Sequence, residues 1–412
     1  MYPFSIFVGL ALLRPLKNLF ASKFLETLLN SPLMQRQFDQ LSPGSTRRTL
    51  ALNGLKSAQI PVPPLTEQER IVNRAESLLA RTEDITSHLS RVPVILKRFR
   101  QAVLTAACSG KLTAEWREAG HAAEDVRSLL EHILRIRQLH GSARTRSRSY
   151  QLRSDLPDIP STWVWIPFGD LIASLRSGST EPPLNEETPY PILRSSSVRP
   201  GVVHLNDVRY LTDRQSQNAD NFIARNDMLF TRLSGSIEFV ANCAVVPELN
   251  GKQIQYPDRL FCGRLLEPQC VSFCELCFAC PSLRDFLTIE SKSSAGHQRI
   301  SMSAITDMPI PLPPLAEQRE IVRVVDSLFT LADVIEEHAS TATSLSDKLT
   351  QSILAKAFRG ELVPTEAELA RREGREYEPA SKLLERVRKE HESNASSKPE
   401  RKRRRTKSKV TA

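Results

Sequence analysis

Cys270, Cys274, Cys277 and Cys280 crowd into one run, Cys-Val-Ser-Phe-Cys-Glu-Leu-Cys-Phe-Ala-Cys, and thiols at such density are the ligand type that holds zinc. Zinc takes four ligands converging tetrahedrally, normally a pair from each of two chain segments. No second Cys or His pair at ligand spacing stands elsewhere in the 412 residues. Steps of four, three and three instead lay these thiols along one helical face, where they pack as small hydrophobes. The expectation is a buried cysteine stripe without metal. With no secretory signal in view, a reducing, cytoplasmic location is expected as well. The sequence also holds no phosphate loop and no Gly-rich cofactor loop.

The charge is distributed unevenly. The net charge is +9, and between Lys398 and Lys409 eight basic residues stand against Glu400 alone, so the tail carries +7 and the rest of the chain only +2. A segment this rich in Ser, Lys and Arg has too few apolar residues to offset the entropy of ordering, and disorder is expected over 395–412. A solubilising terminus and an auxiliary phosphate binder both fit it. At the other end, the apolar stretch Phe4–Leu13 is too short to span a bilayer and lacks the basic flank of a signal peptide. It is expected to be the edge of a buried element.

The setting of these residues is a repeat. Ile60-Pro61-Val62-Pro63-Pro64-Leu65-Thr66-Glu67-Gln68 recurs as Ile310-Pro311-Leu312-Pro313-Pro314-Leu315-Ala316-Glu317-Gln318, an offset of 250 that holds without a gap to Gly110-Lys111-Leu112 and Gly360-Glu361-Leu362. The chain is built from two copies of one unit. Each copy reads as a stiff Pro segment feeding a long helix, because Pro fixes its own φ and pushes the preceding residue out of the α region. Thr66 and Glu69 have the spacing of a capping box in the first copy, which Ala316 and Arg319 lack in the second. Mostly apolar positions step by four and three from Ile71 through Ala75, Leu78, Thr82, Ile85, Leu89, Val92, Leu96, Phe99, Val103 and Ala106, and the equivalents 250 later are Ile321, Val325, Leu328, Ala332, Ile335, Ala339, Ala342, Ser346, Leu349, Ile353 and Lys356. This is the seam of helices that pack lengthwise, and each copy is the nearest partner for the other. Pro93 predicts a kink or restart, and Gly110 and Gly360 predict C-terminal caps. A helix of about 40 residues is about 60 Å long, a strut rather than a pocket.

Between the copies the texture changes to short β-like runs, such as Gly201–Leu205 and Asp227–Arg232, punctuated by Gly, Pro, Ser and Asn. A shorter helix is expected around Val126–Ile136, followed by a linker with Arg144, Arg146 and Arg148, and an equivalent helix around Ser381–Glu385. The fold class is α+β, with compact mixed α/β domains alternating with long helices that pair as an antiparallel coiled-coil spacer. The expected segments are 1–59, the end of a first compact domain; 60–112, the first long-helix region; 113–154, a short helix and basic linker; 155–309, the second compact domain; 310–362, the second long-helix region; 363–394, a C-terminal helix; and 395–412, the tail.

The doubled Pro-Pro-Leu-x-Glu-Gln followed by Ile-Val, the Phe358-Arg359-Gly360-Glu361-Leu362 helix end, Leu156-Pro157-x-Ile159-Pro160-x-x-Trp163 and Asn226-Asp227-Met228-Leu229-Phe230-Thr231-Arg232 resemble the specificity subunits of type I restriction–modification systems. The resemblance implies two target-recognition domains, each reading one half of a split DNA site, held apart by paired helices on which methyltransferase and motor/nuclease subunits dock. It implies a subunit without catalysis of its own, directing adenine methylation and restriction by those partners. S-adenosylmethionine, ATP and Mg then belong to the partner subunits and no cofactor to this chain. No Asn/Asp-Pro-Pro-Tyr methyltransferase motif and no acidic-plus-Lys nuclease cluster is present. Double-stranded DNA is the expected ligand, with no membrane partner.

In the second recognition domain the expected DNA-contacting residues are Arg194, Ser195, Ser196, Arg199, Thr231, Arg232, Ser234, Ser236, His297, Gln298 and Arg299, in polar, turn-like segments where side chains protrude. Arg232 and Arg194 stand out, each following an apolar run into a Ser-rich loop, and Arg232→Ala is expected to weaken specific binding more than non-specific binding. The spacer and partner-docking set is Pro64, Leu65, Glu67, Gln68, Ile71, Pro314, Leu315, Glu317, Gln318 and Ile321. One departure from the family pattern stands out: about 155 residues separate Asp155 from Ile310, but only 59 precede Ile60. A shortened first recognition domain, a remnant acting only as a scaffold for partner subunits, and self-association that borrows a reader from a second chain are the alternatives.

Overall fold

The computed structural model describes residues 10–16, 19–42, 49–121, 125–139, 156–212, 219–234, 239–290, 292–294 and 297–396. The basic tail, the Arg144–Arg148 linker and Ser236 lie outside them. The chain forms two compact units, one from 93–336 and one from 1–92 with 337–412.

The 93–336 unit is organised by a sheet. Its strands include β1 (Val164–Pro167), β2 (Ile172–Ser177), β3 (Met228–Thr231), β4 (Cys243–Val245), β5 (Leu260–Leu265) and β6 (Pro309–Leu312). Four of them run antiparallel in the order β2-β5-β3-β4, with Phe261 opposite Phe230 and Leu229 opposite Ala244. Alternate residues of a strand face opposite sides, and here both sides are covered. Met228, Phe230 and Phe261 enter one core, while Leu229, Leu260 and Cys262 enter a second. That two-sided burial is why β3 reads as an unbroken apolar run rather than an alternating one. A separate pair, β1 and β6, sets Ile166 against Ile310.

The helix Val271–Ala279 packs on the first core. Cys270, Cys274, Cys277 and Cys280 are all buried there, and Cys108 Sγ lies 4.0 Å from Cys277 Sγ. Burial pushes the Cys274 and Cys277 thiols up and Cys270 to about 12, so they remain neutral and pack as small hydrophobes. Phe168, Phe230 and Phe278 meet edge to face beside them, with centroids 4.7 to 5.9 Å apart.

The first long helix runs Leu65–Leu89 and restarts as Val92–Cys108, with Pro93 in the opening turn of the second piece, where its missing N–H is harmless. The second copy is a single helix, Leu315–Arg359. Gly110 and Gly360 both cap their helices in the left-handed region, at φ +73° and +76°. After Gly360 the Glu361 N–H reaches back to the Lys356 carbonyl at 3.0 Å, a Schellman-type closure.

Within each unit the helices pair with opposite polarity. In the 93–336 unit Val103 and Ala107 share a core with Ile321 and Val325, while the earlier Arg100 donates to Asp333 at 2.6 Å and Glu336 at 2.8 Å. In the other unit Ile71 and Val72 share a core with Leu354, Ala357 and Phe358. Further along, the Thr86 and Ser346 hydroxyls lie 3.0 Å apart, and Thr350 Oγ1 donates to Thr82 Oγ1 at 3.2 Å. The apolar seam is narrower than the periodicity implies. Ile85, Ile335 and Leu349 are exposed, and the seam there is closed by hydroxyls, at the buried seam positions Thr82 and Ser346 and beside them at Thr86 and Thr350.

The unit formed by 1–92 and 337–412 is helical. Ser22–Leu29, Pro32–Leu41 and Leu52–Ser57 precede its long helix, and Glu366–Glu373 and Ala380–Ser396 follow. Shifted by 250, the first three correspond to Val271–Ala279, Pro281–Glu290 and Met302–Thr306, so the duplication reaches well upstream of Ile60. Leu10, Leu12, Leu13 and Leu16 are exposed. The expectation that the N-terminal apolar stretch is the edge of a buried element is corrected over Leu10–Leu13; Phe4–Gly9 lie outside the described residues. The Thr66 capping box is also corrected. Pro64 occupies the cap position without a side-chain bond, and Thr66 Oγ1 donates to Glu366 Oε2 instead, at 3.0 Å. Among the described residues no helix is long and apolar enough to cross a membrane.

Candidate nucleic-acid interface

Pro191–Leu193 pairs with Val208–Tyr210, and the chain then turns through Ser195–Ser197 into a small hairpin, Val198–Arg199 against Val202–Val203, closed by Gly201 at φ +70°. The hairpin leaves Arg199 exposed. Beside it β3 ends at Thr231, whose N–H donates to the Asn242 carbonyl at 3.0 Å while the Ala241 N–H donates to the Thr231 carbonyl at 2.8 Å. These segments enclose a cleft of about 310 Å³ lined by Ser195, Ser196, Arg199, Thr231, Ser234, Phe239, Asn242 and Arg259, with Val198 and Leu233 between them. Among the described residues Arg199 and Arg259 are the only charged ones in the lining, and both are basic. The Arg199 guanidinium carbon lies 6.0 Å from the centroid of the exposed Phe239 ring, within reach of the ring's negative face.

The structure thus brings together five of the residues expected to contact DNA: Ser195, Ser196, Arg199, Thr231 and Ser234. Arg194 turns toward Asp207, Nε to Oδ1 3.7 Å, and Ser196 Oγ donates to the other oxygen of the same carboxylate at 2.6 Å. Arg232, which the sequence marks as a reader, is engaged inside the domain. Its guanidinium lies 5.4 Å from the Phe261 ring centroid and donates to the Asp258 carbonyl at 3.2 Å. Gln298 and Arg299 sit on the strand His297–Arg299, which pairs with Leu233–Ser234 and so reaches the same neighbourhood through its backbone. The His297 side chain and Ser236 lie outside the described residues.

Phe239, Asn242 and Arg259 join the cleft without any such signal in the sequence. Arg259 reaches it because Leu260 stands opposite Thr231 across β5 and β3, a pairing that no local pattern announces. Asn242 reaches it because Ala241 adopts φ +54°, a conformation that residues with a Cβ rarely take.

The spacer residues are largely internal. Glu317 is fully buried and accepts from Thr113 Oγ1 at 2.7 Å, from Trp163 Nε1 at 2.8 Å and from Arg117 Nη1. Gln318 Nε2 donates to the Pro313 carbonyl at 2.8 Å, and Gln68 Nε2 to the Pro63 carbonyl at 2.9 Å. Glu67, Gln68, Ile71, Pro314, Glu317, Gln318 and Ile321 are buried, with Pro64, Leu65 and Leu315 half-buried. Contacts within the chain close most of these side chains off and hold the helix starts in place. The exposed apolar side chains of the long helices are others, among them Ile85, Val94, Ile95, Leu331, Val334 and Leu345.

Residues 4–91 and 276–342 match the model of the type I restriction modification DNA specificity domain. The chain is 35% identical over 361 residues to the type I restriction enzyme EcoKI specificity subunit of Escherichia coli K12, an alignment covering 87% of this chain and 69% of that protein. The chain belongs to the type I restriction enzyme specificity subunits. This family supplies DNA sequence specificity and leaves catalysis to other subunits, which accords with the lack of a catalytic motif in the sequence. Another specificity subunit, that of EcoDI from Escherichia coli, is 28% identical over 352 residues, covering 84% of this chain and 71% of its own length. A solved chain from work on complex assembly and conformational transition of the type I restriction–modification system shares the fold, with a TM-score of 0.54 at 19% identity over 84% of this chain and 73% of that one.

Proposed function

We propose that this specificity subunit reads one half of a bipartite DNA site through the cleft beside β3, and directs adenine methylation and restriction by methyltransferase and motor/nuclease subunits docked on its long helices. The observation that carries the reading is the cleft lining. Two exposed arginines and three serines converge on it, and among the described residues no carboxylate lines it. Arginine bonds bidentately to guanine or to phosphate, and serine to phosphates or several base edges. The partner subunits dock on exposed apolar side chains of the long helices, such as Val94, Ile95 and Leu345, since the duplicated helix starts are largely buried.

The test is a salt-controlled titration of the assembled complex on duplexes with and without its recognition sequence. For the double variant Arg199→Ala, Arg259→Ala, binding to both duplexes is expected to weaken, and the dependence of log affinity on log salt to fall by about one for each phosphate no longer neutralised. Unchanged affinity and slope on both duplexes would place the DNA elsewhere on the domain. Arg232→Ala serves as the contrast, with its main effect expected on domain stability.

A further inference from the structure

Among the described residues, two polar groups at the floor of the cleft have no hydrogen-bond partner. Thr231 and Asn242 are 4% and 2% exposed, and among the described residues neither Thr231 Oγ1 nor Asn242 Nδ2 has a hydrogen-bond partner. Leaving buried polar groups unsatisfied destabilises a fold, and an apolar residue of the same shape would remove the penalty. The segment that carries Asn242 is strained as well as unsatisfied. Ala241 is held at φ +54° by its own N–H on the Thr231 carbonyl and by Arg284, which donates to the Val240 carbonyl at 2.9 Å and to the Ala241 carbonyl at 3.1 Å. Strain and unmet hydrogen-bonding capacity that coincide at one cleft are the usual marks of a binding site rather than of a core.

We infer that Asn242 and Thr231 are specificity-determining residues, reading an adenine of the target sequence at the floor of the cleft. This rests on the cleft being the DNA-reading surface. A primary amide is the side chain that matches adenine in the major groove, donating to N7 and accepting from the N6 amino group, and a threonine hydroxyl adds a donor or acceptor beside it. The cleft volume of about 310 Å³ is at the small end of the range that holds ligands, roughly 300–1,000 Å³, and suits a single base edge. Arg199 and Arg259 at the rim bring the backbone close, and relaxation of the Ala241 link carries the amide up to the base. On this reading the unsatisfied groups of the unbound protein find their partners only on the correct DNA.

The experiment uses the complex assembled with its partner subunits and a pool of duplexes with randomised bases, from which the bound or methylated sequences are read. Thr231→Val and Asn242→Leu are each expected to lower discrimination at one adenine position by roughly tenfold, with a smaller loss of affinity for non-specific DNA. Because each removes an unpartnered polar group, the melting temperature is expected to hold or to rise by a few degrees. A purely structural role would instead lower it and leave the selected sequence intact. If both variants select the same sequence as the parent while Arg199→Ala, Arg259→Ala weakens binding to all DNA, the cleft stands as a DNA surface and the inference about its floor fails. If the arginine variant also changes nothing, it is the reading of the cleft itself that fails.

Discussion

Glu67 and Glu317 occupy the same position in the two copies of the repeat, at the start of a long helix after a Pro-Pro-Leu segment, and both are buried, yet different chemistry holds them. Glu317 is gripped by Thr113 and Arg117, which lie beyond the end of the other copy's helix, and by Trp163 at the opening of the sheet domain. Glu67 also reaches the segment beyond the opposite helix, but there its carboxylate accepts the Glu366 N–H at 2.7 Å, at the first residue of the helix Glu366–Glu373. Each copy thus anchors its helix start on the segment just past the other copy's helix end, and in this way a duplicated sequence encodes antiparallel pairing. The difference lies in the third partner. Ile310 pairs into β6 against β1 and is fully buried, whereas Ile60, its counterpart, is 36% exposed and lies outside any strand. The helix starts carry the pairing, and the sheet domain adds the burial.

Removing each glutamate in turn separates the two anchors most directly. Glu317→Ala leaves Arg117, Thr113 and Trp163 Nε1 without their shared acceptor, and losing one member of a buried charge network costs about 3–5 kcal/mol. Glu67→Ala removes a single acceptor at a helix start, worth about 1.5–3 kcal/mol. Urea denaturation with hydrogen exchange read unit by unit is expected to show the larger loss in the 93–336 unit for Glu317→Ala, and equal losses would mean that the side-chain partners of Glu317 add nothing beyond a single acceptor. The capping glycines sharpen the same contrast. Gly110 and Gly360 share a positive φ, but a Cβ at Gly110 would meet Pro160 Cγ at 2.5 Å, whereas at Gly360 the nearest atom is Thr365 Cγ2 at 3.8 Å. Gly360→Ala is expected to cost about 1–2 kcal/mol for the left-handed backbone alone, and Gly110→Ala about 2–4 kcal/mol once the clash is added. Thermal unfolding of the two variants tests this, and an equal pair of shifts would show that the Pro160 contact yields easily.

Much of the frame is legible in the sequence because it is encoded locally and twice. The 250-residue offset, the interruption at Pro93 and the caps at Gly110 and Gly360 depend only on residue type and near neighbours. The features that local patterns misplace depend on tertiary partners. Thr66 has the spacing of a cap, but the Glu366 carboxylate draws its hydroxyl away. Ile85 and Leu349 have the spacing of a seam, but a hydroxyl pairing among Thr82, Thr86, Ser346 and Thr350 takes that part of the contact. The cleft is half visible for the same reason. Ser195, Ser196, Arg199, Thr231 and Ser234 fall in recognisable turn and strand-end segments, while Arg259 and Asn242 arrive only through strand register and one strained peptide.

One carboxyl in each unit is shifted from its ordinary value, and the two shifts run in opposite directions. In the helical unit the carboxyl of Glu366 is held down at about 2, chiefly by its bond to Arg70 and further by Arg375 and Thr66. In the sheet-containing unit Glu275 is pushed up by burial, which its bond from the Val245 N–H, at 2.8 Å, only partly offsets. A depressed carboxyl binds fewer protons folded than unfolded, so its stabilisation is complete above the ordinary carboxyl range and is lost as pH falls toward about 2. A raised carboxyl does the reverse. Its ionised form is disfavoured in the fold, so its contribution declines as pH rises from the ordinary carboxyl range through its higher folded value. Glu366→Gln is therefore expected to flatten the acid limb of the helical unit's stability profile. Glu275→Gln, which keeps an acceptor for Val245, is expected to remove a decline on the other side. The differences between variant and parent, measured by hydrogen exchange at matched pH values, should be small and opposite in sign. Two profiles shifting in the same direction would mean that net charge, rather than these two local environments, governs the acid response.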